Sequence, residues 1–465
     1  MNGRNVVAGS LLVIGAGPGG YETAVRAARA GLEVTLVTSG PLGGTCLNAG
    51  CIPTKCLCHS AEQAMTLSSL GLPLPDGFRE KSLEHKTATV EKLRAGVASL
   101  LKDIKVVYGT ASFVDGKTVK VVPSHDISLT ADRIIIATGS ESASLPIPGV
   151  ELPGVLDSTA ILELGEIPSS LTVIGGGVIG LEFASIFAAL GTEVTVLEYC
   201  KNLLPHFDVD LAKRLKQSLS KRGINIVNQA QVTEICMSDN YENALGDKLL
   251  TVKYLYRDKE CTVSSEKVLM AVGRKPRTAQ LNLEAAGIEY TKRGISVDSQ
   301  MRTTNPDVYA IGDVNGIMML AHTAVAQGKV ALESILDCFS ISVPNRGKIR
   351  TDIVPAAVFT VPEVASVGMT EEECDAKGIE HKTVKSFYRA NGKALAMDEP
   401  DGYCKIIVSS GDVPGQILGC HIIGAHASDL IAEIAALMNF SATLDDLDAI
   451  IHAHPTLSEI LVSGI

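Results

Sequence analysis

Apolar runs, glycine turns and alanine-rich stretches follow one another along this chain, and one arrangement of them occurs twice. Residues 11–38 read LLVIGAGPGGYETAVRAARAGLEVTLVT, and residues 171–198 read LTVIGGGVIGLEFASIFAALGTEVTVLE, which align without a gap. A short apolar run that ends in glycine is typical of a buried strand, and the alanine-rich stretch is typical of a helix. The pattern therefore predicts two strand–helix–strand units.

The turn inside each unit has the spacing G-x-G-x-x-G, formed by Gly15, Gly17 and Gly20 and by Gly175, Gly177 and Gly180. In a dinucleotide-binding unit the first glycine allows a tight turn, the second admits a pyrophosphate, and the third lets the helix pack closely. The helix N-terminus adds amide donors for the phosphates. A single motif of this kind is weak evidence, but two in register, each between a strand and a helix, predict two dinucleotide sites.

Later segments complete the predicted fold. The apolar runs 134–139 and 268–273 both end in glycine, at a distance that suits a strand returning to the nucleotide. The chain from about residue 351 lacks a glycine fingerprint and contains alternating apolar runs, which favour an α+β domain. The predicted fold class is α/β, with two Rossmann-like dinucleotide-binding domains followed by a C-terminal α+β domain.

The two units differ at the last residue of their second strand. Glu198 stands where a carboxylate accepts hydrogen bonds from an adenosine ribose and repels a 2′-phosphate, which favours NAD over NADP. Thr38 stands at the matching position of the first unit, and a hydroxyl makes weaker, neutral hydrogen bonds. We therefore expect the first dinucleotide to be held less firmly at its ribose. Lys201 lies nearby, and a single lysine there is typical of a solvated position.

Composition and charge narrow the function classes. The chain has 465 residues, of which 46% are hydrophobic, so two to four folded domains are expected. Its net charge of −11 argues against nucleic-acid binding and against docking on an anionic membrane. No apolar run is long enough to span a bilayer. We expect a soluble cytoplasmic protein, with the mitochondrial matrix as the alternative if a presequence is absent from the sequence.

Cysteine usage points to redox chemistry. The chain has 11 cysteines, an odd number that does not suit a disulfide-stapled secreted scaffold. Cys46 and Cys51 flank about one predicted helical turn, and a helix N-terminus together with Lys55 would lower a thiol pKa. Cys56 and Cys58 follow, which leaves a four-thiol metal site as an alternative, but the spacing is poor for zinc and no metal is predicted. The remaining cysteines are interpreted as small core residues: Cys200, Cys236, Cys261, Cys338, Cys374, Cys404 and Cys420.

Longer motifs accompany the cysteine pair: GGTCLNAGCIPTK at 43–55, the ATG and AVGR strand ends, YAIGDV at 309–314, MLAH at 319–322 and HAHPTLSE at 452–459. Through them the chain resembles the flavoprotein (pyridine nucleotide) disulfide oxidoreductases. The resemblance extends from about residue 9 to the C-terminus. Because the motifs are long and occur in a fixed order, the resemblance is specific.

The resemblance implies FAD in the first unit, NAD in the second, and a redox-active Cys46–Cys51 disulfide beneath the flavin ring. Asp313 matches the partner of a ribityl hydroxyl, and the usual acid at the first ribose is absent because Thr38 stands there. Lys55 and Glu182 match a pair near the flavin ring. The residues that match cofactor contacts are Gly15, Gly17, Gly20, Thr38, Gly44, Thr45, Lys55, Ala111, Thr138, Gly139, Ser140, Asp313, Met319, Leu320, Ala321, His322, Gly175, Gly177, Gly180, Glu182, Glu198, Val232 and Gly273.

His454 and Glu459 match the acid–base pair of the family. A lone histidine beside a proline is more often structural, but an acid five residues later can orient the imidazole and stabilise its cation. His452 is the competing base. The family motif assigns the role to the second histidine, directly before Pro455.

The resemblance also implies four segments: an FAD-binding domain at 1–150, an NAD-binding domain at 151–273, a central segment at 274–350 that completes the FAD site, and an interface domain at 351–465. The interface domain would form a homodimer and bring His454 and Glu459 to the cysteine pair of the other subunit.

Within this family the motifs most resemble the enzymes that oxidise protein-bound dihydrolipoyl groups. A substrate thiolate would attack Cys46, leaving Cys51 as a thiolate beside the flavin, and FAD would pass the electrons to NAD⁺. The expected partner is a lipoyl-bearing carrier protein of a 2-oxo-acid dehydrogenase or glycine-cleavage complex; no nucleic acid or membrane partner is expected. Two alternatives stay open: a glutathione-type reductase, which normally has basic residues near position 198, and a non-catalytic nucleotide-binding subunit that senses redox state or acts as a scaffold.

Overall fold

The elements of the fold follow the apolar runs of the sequence, and the computed structural model describes residues 9–122, 127–242, 248–341 and 349–464. In these ranges the α-helices are α1 (Pro18–Arg29), α2 (Gly44–Ala49), α3 (Cys51–Ser69), α4 (Phe78–Leu100), α5 (Val178–Ala189), α6 (Val209–Lys221), α7 (Ala321–Cys338), α8 (Glu371–Lys377), α9 (Gly392–Ala396), α10 (Ala427–Asn439) and α11 (Leu444–Asp448). Short 3₁₀ helices cover Ala160–Glu163, Leu283–Ala286, Gly312–Asn315, Tyr388–Ala390 and Leu457–Leu461.

The strands in the same ranges are β1 (Ser10–Ile14), β2 (Glu33–Thr38), β3 (Lys105–Tyr108), β4 (Thr110–Phe113), β5 (Thr118–Val122), β6 (Ile127–Thr130), β7 (Arg133–Ile136), β8 (Ser140–Ser142), β9 (Val155–Leu156), β10 (Ser170–Ile174), β11 (Glu193–Glu198), β12 (Asn225–Asn228), β13 (Gln231–Glu242), β14 (Lys248–Tyr256), β15 (Lys259–Ser265), β16 (Lys267–Met270), β17 (Arg274–Pro276), β18 (Tyr290–Thr291), β19 (Gly294–Ile295), β20 (Val308–Ala310), β21 (Ala356–Val358), β22 (Val364–Gly368), β23 (His381–Phe387), β24 (Tyr403–Ser409) and β25 (Ile417–Ile423).

The chain divides into two compact units, each assembled from separate stretches. The first unit contains the described residues of Met1–Cys56, Lys81–Ala143 and Arg274–Thr351. The second contains those of Leu57–Glu80, Ser144–Gly273 and Asp352–Ile465.

A parallel sheet with strand order β20-β7-β1-β2-β3 forms the centre of the first unit. β1, β7 and β20 are almost fully buried, as the continuous apolar runs predict for strands covered on both faces, whereas the edge strand β3 is partly exposed. β7, which contains the start of the run 134–139, pairs with β1, as expected for a strand that returns to the glycine turn. A three-stranded antiparallel sheet, β4-β5-β6, adds a second core around Phe113 and Val119.

The second unit repeats this design in the parallel sheet β12-β11-β10-β16-β9. The strand–helix–strand elements of the two units start and end at matching positions: β10 matches β1, α5 matches α1, and β11 matches β2, always 160 residues later. The predicted internal repeat is therefore confirmed at the level of element boundaries. An antiparallel sheet, β13-β14-β15, lies in the same unit.

The C-terminal part of the second unit is built on an antiparallel sheet of order β21-β22-β25-β24-β23. Helix α10 packs on it through Ile431 and Ile434, which are buried with Ile406 and Ile422 of the sheet. This confirms the predicted α+β segment. In the part of the chain that the structure describes, no helix combines the length and apolar character needed to span a bilayer.

Candidate active site

The first glycine turn has the geometry that its sequence predicts. Gly15 adopts a φ of +113°, and a Cβ there would lie 2.2 Å from the Ala137 carbonyl oxygen. A Cβ on Gly20 would lie 1.9 Å from the Gly15 carbonyl oxygen, so only glycine allows α1 to start this close to β1. A Cβ on Gly17 would meet no atom within 4 Å, which leaves that side of the turn open.

The second turn reproduces these relations. Gly175 has a φ of +111° and its Cβ would lie 2.3 Å from the Ala271 carbonyl oxygen, while that of Gly180 would lie 2.0 Å from the Gly175 oxygen. Gly177 again faces open space. Gly17 and Gly177 are the N-cap residues of α1 and α5, and no side chain caps either helix. The first turn of each helix also contains no acidic residue. The backbone amides at the start of each helix, together with the open side of each turn, fit a pyrophosphate group.

Thr38 and Glu198, at the carboxyl ends of β2 and β11, are both buried but bond differently. The Thr38 hydroxyl donates to the carbonyl oxygen of Gly40 at 3.0 Å, within its own turn. The Glu198 carboxylate accepts from the amides of Gly176 and Cys200, each at 2.5 Å. Glu198 therefore fixes a negative charge against its own glycine turn, and Thr38 does not.

Cys46 and Cys51 lie on two successive helices, the short α2 and the 19-residue α3. Cys46 is in α2, Gly50 interrupts the helix with φ −151° and ψ −114°, and Cys51 is the first residue of α3. The Cys46 side chain is hydrogen-bonded to Cys51. The structure thus brings the predicted pair together.

The acidity of Cys46 differs from the sequence-based expectation. Its pKa is raised, first by the hydrogen bond to the Cys51 sulfur, then by burial and by negative charge on Cys51. The Lys55 ammonium acts in the opposite direction but has the smallest effect. For Cys46, the hydrogen bond to Cys51 and burial therefore outweigh the lowering of the pKa that a helix N-terminus and Lys55 would cause.

Helix α2 packs directly against the first glycine turn. The Gly43 amide donates to the Ala16 carbonyl oxygen at 2.9 Å. Gly44 has a φ of +60°, and a Cβ on it would lie 2.6 Å from the Cα of Gly17. Thr45 and Cys46 follow in α2, so the thiol pair is attached to the same turn whose amides fit a pyrophosphate.

The predicted ribityl partner is part of a short polar chain. The Ser140 hydroxyl donates to Asp313 Oδ2 at 2.5 Å, and Arg274 donates through Nε to the same hydroxyl at 2.7 Å. Thr138 and Gly139 lie just before, in the connection from β7 to β8. The arrangement holds a carboxylate and a hydroxyl side by side, which fits a polyhydroxylated ligand.

The MLAH segment forms the start of α7. Leu320 is its N-cap, without a side-chain cap in the described residues, and Ala321 and His322 begin the helix. Met319 precedes the cap. The buried Thr323 hydroxyl in the first turn has no hydrogen-bond partner among the described residues. An uncapped N-terminus and an unsatisfied buried donor both fit a bound polar group.

The other predicted cofactor residues lie on several elements. Lys55 is on α3, and Glu182 is buried on α5, where it accepts from the Phe359 amide at 3.0 Å. Ala111 and Val232 are buried in β4 and β13, and Gly273, with a φ of +110°, follows β16.

His454 and Glu459 are brought together at the C-terminus. The distance between His454 Nδ1 and Glu459 Oε1 is 2.9 Å, and Glu459 Oε2 accepts from the Thr456 amide at 2.9 Å. These two bonds, the amide bond first, lower the pKa of Glu459. Because an ionised carboxylate only accepts, the proton lies on Nδ1 and Nε2 is left as the basic nitrogen. The His454 side chain is 80% exposed.

His452 is used differently. Its Nε2 lies 2.9 Å from Glu433 Oε1, its Nδ1 lies 3.1 Å from the Ile450 carbonyl oxygen, and its side chain is 7% exposed. Both ring nitrogens of His452 are therefore occupied within the fold, whereas only Nδ1 of His454 is hydrogen-bonded among the described residues.

Some cysteines differ from the prediction. Cys338 is exposed and Cys200, Cys236 and Cys261 are half-buried, so they are not core residues. The buried Cys404 and Cys420 lie on β24 and β25 with 3.7 Å between their sulfur atoms, a pair that sequence spacing does not reveal.

Among the described residues no group of three or more His, Cys, Asp or Glu side chains is arranged to hold a metal ion.

Comparison with known proteins places these features in a family. Residues 9–328 match the pyridine nucleotide-disulphide oxidoreductase model, and residues 354–464 match the dimerisation domain of the same family, which supports a homodimer. The chain is 41% identical to the dihydrolipoyl dehydrogenase of Geobacillus stearothermophilus, covering 97% of this chain and 94% of that protein. It is 40% identical to the dihydrolipoyl dehydrogenase of Bacillus subtilis, covering 97% and 95%.

Solved structures agree. The HOCl-induced flavoprotein disulfide reductase RclA from Escherichia coli superposes with a TM-score of 0.84 at 31% identity, covering 97% of this chain and 98% of that one. Its Cu(II) complex gives the same TM-score at 30% identity. The repeated glycine turns, the adjacent thiols and these matches lead to one conclusion: the chain belongs to the pyridine nucleotide-disulphide oxidoreductase family.

Proposed function

We propose that this chain catalyses the oxidation of protein-bound dihydrolipoyl groups to lipoyl groups, with NAD⁺ as the final electron acceptor. Enzymes of its family use FAD and NAD, and the relatives named dihydrolipoyl dehydrogenase share about two fifths of its sequence over nearly its full length. The observation that carries the proposal is the Cys46–Cys51 pair, whose side chains are hydrogen-bonded where α2, which packs against the first glycine turn, leads into α3.

The reaction begins with the pair as a disulfide. One substrate thiolate attacks Cys46 Sγ, the Cys46–Cys51 bond breaks, and Cys51 leaves as a thiolate. The second substrate thiol then attacks the substrate sulfur bound to Cys46, which closes the lipoyl ring and releases Cys46. The substrate loses two electrons and two protons, and the cysteine pair gains the two electrons. The raised pKa of Cys46 supports this division, because the remaining proton stays on Cys46 and the negative charge on Cys51.

His454 is the base that takes the first substrate proton, on Nε2. Glu459 keeps the other ring proton on Nδ1 and stabilises the imidazolium after the transfer. The exposed position of His454 supports this role, since a group on a carrier protein must reach it. His452, bonded at both nitrogens, holds the segment in place.

When bound, FAD would supply a two-electron acceptor for the cysteine pair and a hydride donor for NAD⁺. The open side of Gly17 and the uncapped α1 would hold its pyrophosphate, and Ser140 and Asp313 its polyol chain. Gly177 and Glu198 would hold the pyrophosphate and ribose of NAD.

The remaining expectations are part of the same proposal. The partner is a lipoyl-bearing carrier protein, and His454 of one subunit serves the cysteine pair of the other. The domain division at residues 150, 273 and 350 and a cytoplasmic location stay predictions; bacterial relatives support the location.

The test is rapid reduction of the purified enzyme by dihydrolipoamide, followed by absorbance. We expect a long-wavelength band from a thiolate beside the flavin, and turnover with NAD⁺ but not NADP⁺. Cys46→Ser or Cys51→Ser should abolish turnover while FAD stays bound, whereas Cys338→Ser, at an exposed cysteine, should be fully active. Full activity in either of the first two variants rejects the mechanism, and a preference for NADPH with glutathione-type disulfides selects the reductase alternative.

A further inference from the structure

A cavity of about 510 Å³ lies in the second unit, at the edge strand β12 of the parallel sheet. Its walls come from the loop after β11, one face of α6, β12 and the end of β14. The volume is in the range of small-ligand sites, and the carboxyl ends of parallel strands are where such sites form in α/β sheets. Neither the glycines of the second turn nor Glu198 is among its lining residues.

The cavity is positively charged. Its lining residues, all in the described part of the chain, include Lys201, Lys213 and Lys216 and no carboxylate. Arg257 adds a further cation nearby, since its guanidinium lies 5.1 Å from the ring centre of Tyr256, another lining residue. The whole chain carries a net charge of −11, so this local excess of positive charge does not follow from its overall composition.

Lys216 is held in place by a polar framework. Its Nζ donates to Asn228 Oδ1 at 2.6 Å, and Asn228 Nδ2 donates to the Lys201 carbonyl oxygen at 2.8 Å. The Asn228 side chain thus connects β12 to α6 and to the loop after β11. An ammonium has three donors, and only the bond to Asn228 is formed within the described residues, which leaves capacity for a ligand.

Half-burial of this ammonium is compensated in the described residues by the neutral hydrogen bond to Asn228 but by no opposite charge. Burial alone lowers the pKa of Lys216, and no carboxylate of the described chain pairs with Lys213 or Lys216. A dianionic group between these lysines would neutralise their charge and accept hydrogen bonds from the remaining donors. The apolar walls formed by Leu203, Ile226 and Val227 would cover a less polar part of the same ligand.

We propose that this basic pocket, formed around Lys201, Lys213, Lys216 and Asn228, binds a phosphomonoester of nucleotide size, at a site separate from both dinucleotide turns. The phosphate lies between the lysine ammonium groups, and the organic part lies along the apolar wall and Tyr256. Free phosphate and a nucleotide monophosphate share the charged group, so the experiment must separate them.

Calorimetric titration of the FAD-containing enzyme, saturated with NAD⁺, tests this site. Saturation with NAD⁺ keeps the probes from the second glycine turn. We expect AMP to bind with one site per chain, inorganic phosphate to bind more weakly, and uncharged adenosine not to bind. Lys213→Ala and Lys216→Met should each weaken AMP binding by roughly tenfold or more, as loss of a charge-assisted hydrogen bond implies.

Lys221→Ala is the matched control, because Lys221 is on the same helix but does not line the pocket. It should leave AMP binding unchanged, and both Lys213→Ala and Lys221→Ala should keep the wild-type unfolding temperature. Lys213 makes no hydrogen bond or ion pair within the described chain, so its variant reports on binding even if Lys216→Met alters the fold. Absence of AMP and phosphate binding at millimolar concentration overturns the proposal. So does binding that NAD⁺ displaces or that the two lysine variants do not affect.

Discussion

Glu198 and Thr38 end the same strand of the two repeats, and their side chains have different uses. Glu198 receives two backbone amides and so places a fixed negative charge beside the second glycine turn. Thr38 bonds within its own turn and carries no charge. A buried carboxylate that is held by two backbone amides can accept hydrogen bonds from ribose hydroxyls and repel a ribose phosphate. Cofactor choice in the second unit should therefore depend on this one charge.

Glu198→Gln should weaken discrimination between NADH and NADPH. The amide keeps one acceptor but loses the charge, and the difference between a charge-assisted and a neutral hydrogen bond corresponds to roughly tenfold in binding. Steady-state kinetics with both nucleotides should show a raised KM for NADH and a smaller NADH-to-NADPH ratio of kcat/KM. Glu193→Gln, at the exposed start of the same strand, is the control. An unchanged ratio in Glu198→Gln would show that the charge does not select the nucleotide.

Two cysteine pairs, Cys46–Cys51 and Cys404–Cys420, are hydrogen-bonded but differ in burial. Cys404 and Cys420 are enclosed, and burial raises the pKa of Cys420, so neither should form a reactive thiolate. Iodoacetamide should modify the Cys46–Cys51 pair only after reduction by NADH, and Cys338 both before and after. Peptide mass mapping should find Cys404 and Cys420 unmodified until the protein is denatured. Rapid native labelling of these two would contradict the assigned burial.

At the scale of elements, the glycine turn is the feature that fixes both nucleotide sites. Gly20 and Gly17 are three residues apart, yet a methyl group would have opposite consequences at the two positions. At Gly20 it would collide with the carbonyl oxygen of Gly15, within the fold itself. At Gly17, whose φ of −70° suits any residue, it would point into the open side of the turn.

Gly20→Ala should therefore damage the fold, and Gly17→Ala should damage FAD binding. We expect the first to destabilise the cofactor-free protein by about 1–3 kcal/mol, as overpacking does, and the second by less than about 0.5 kcal/mol. Denaturant unfolding of the cofactor-free proteins measures the first effect, and the flavin absorbance of the purified variants measures the second. Gly17→Ala protein that retains full flavin, or that unfolds as readily as Gly20→Ala, would refute this division.

A feature of this fold can be predicted from the sequence when its cause is local, and cannot when it depends on residues that are distant in the chain. The repeat elements could be placed from sequence because the glycine requirements are local and strict. The contact between Cys404 and Cys420 could not, because it depends on the register of two antiparallel strands. Lys405 is likewise unexpected: it is 1% exposed, with Nζ 2.7 Å from Asp208 Oδ2 and in contact with Glu371, and no local pattern marks such a long-range ion pair. The raised Cys46 pKa follows from a side-chain contact, which spacing alone does not specify.

At the scale of the whole molecule, the C-terminal domain carries both the base and an uncovered apolar surface. The Ile451 side chain is 97% exposed and Phe440 is 86% exposed, although large apolar residues are usually covered. Ile451 is three residues before His454, and the domain matches the family's dimerisation model. A second subunit that covers this surface would also meet the exposed His454.

If each site combines His454 of one subunit with the cysteine pair of the other, two inactive variants should complement one another. Cys46→Ser and His454→Ala subunits, co-expressed with different tags and purified as a heterodimer, would form one site with both defects and one site with none. Symmetry then predicts about half the wild-type activity per dimer, while each homodimer is nearly inactive. A Cys46→Ser, His454→Ala double variant paired with a wild-type subunit is the control, since both of its sites would lack one group. An inactive first heterodimer together with a half-active control would place the base and the thiols in the same subunit.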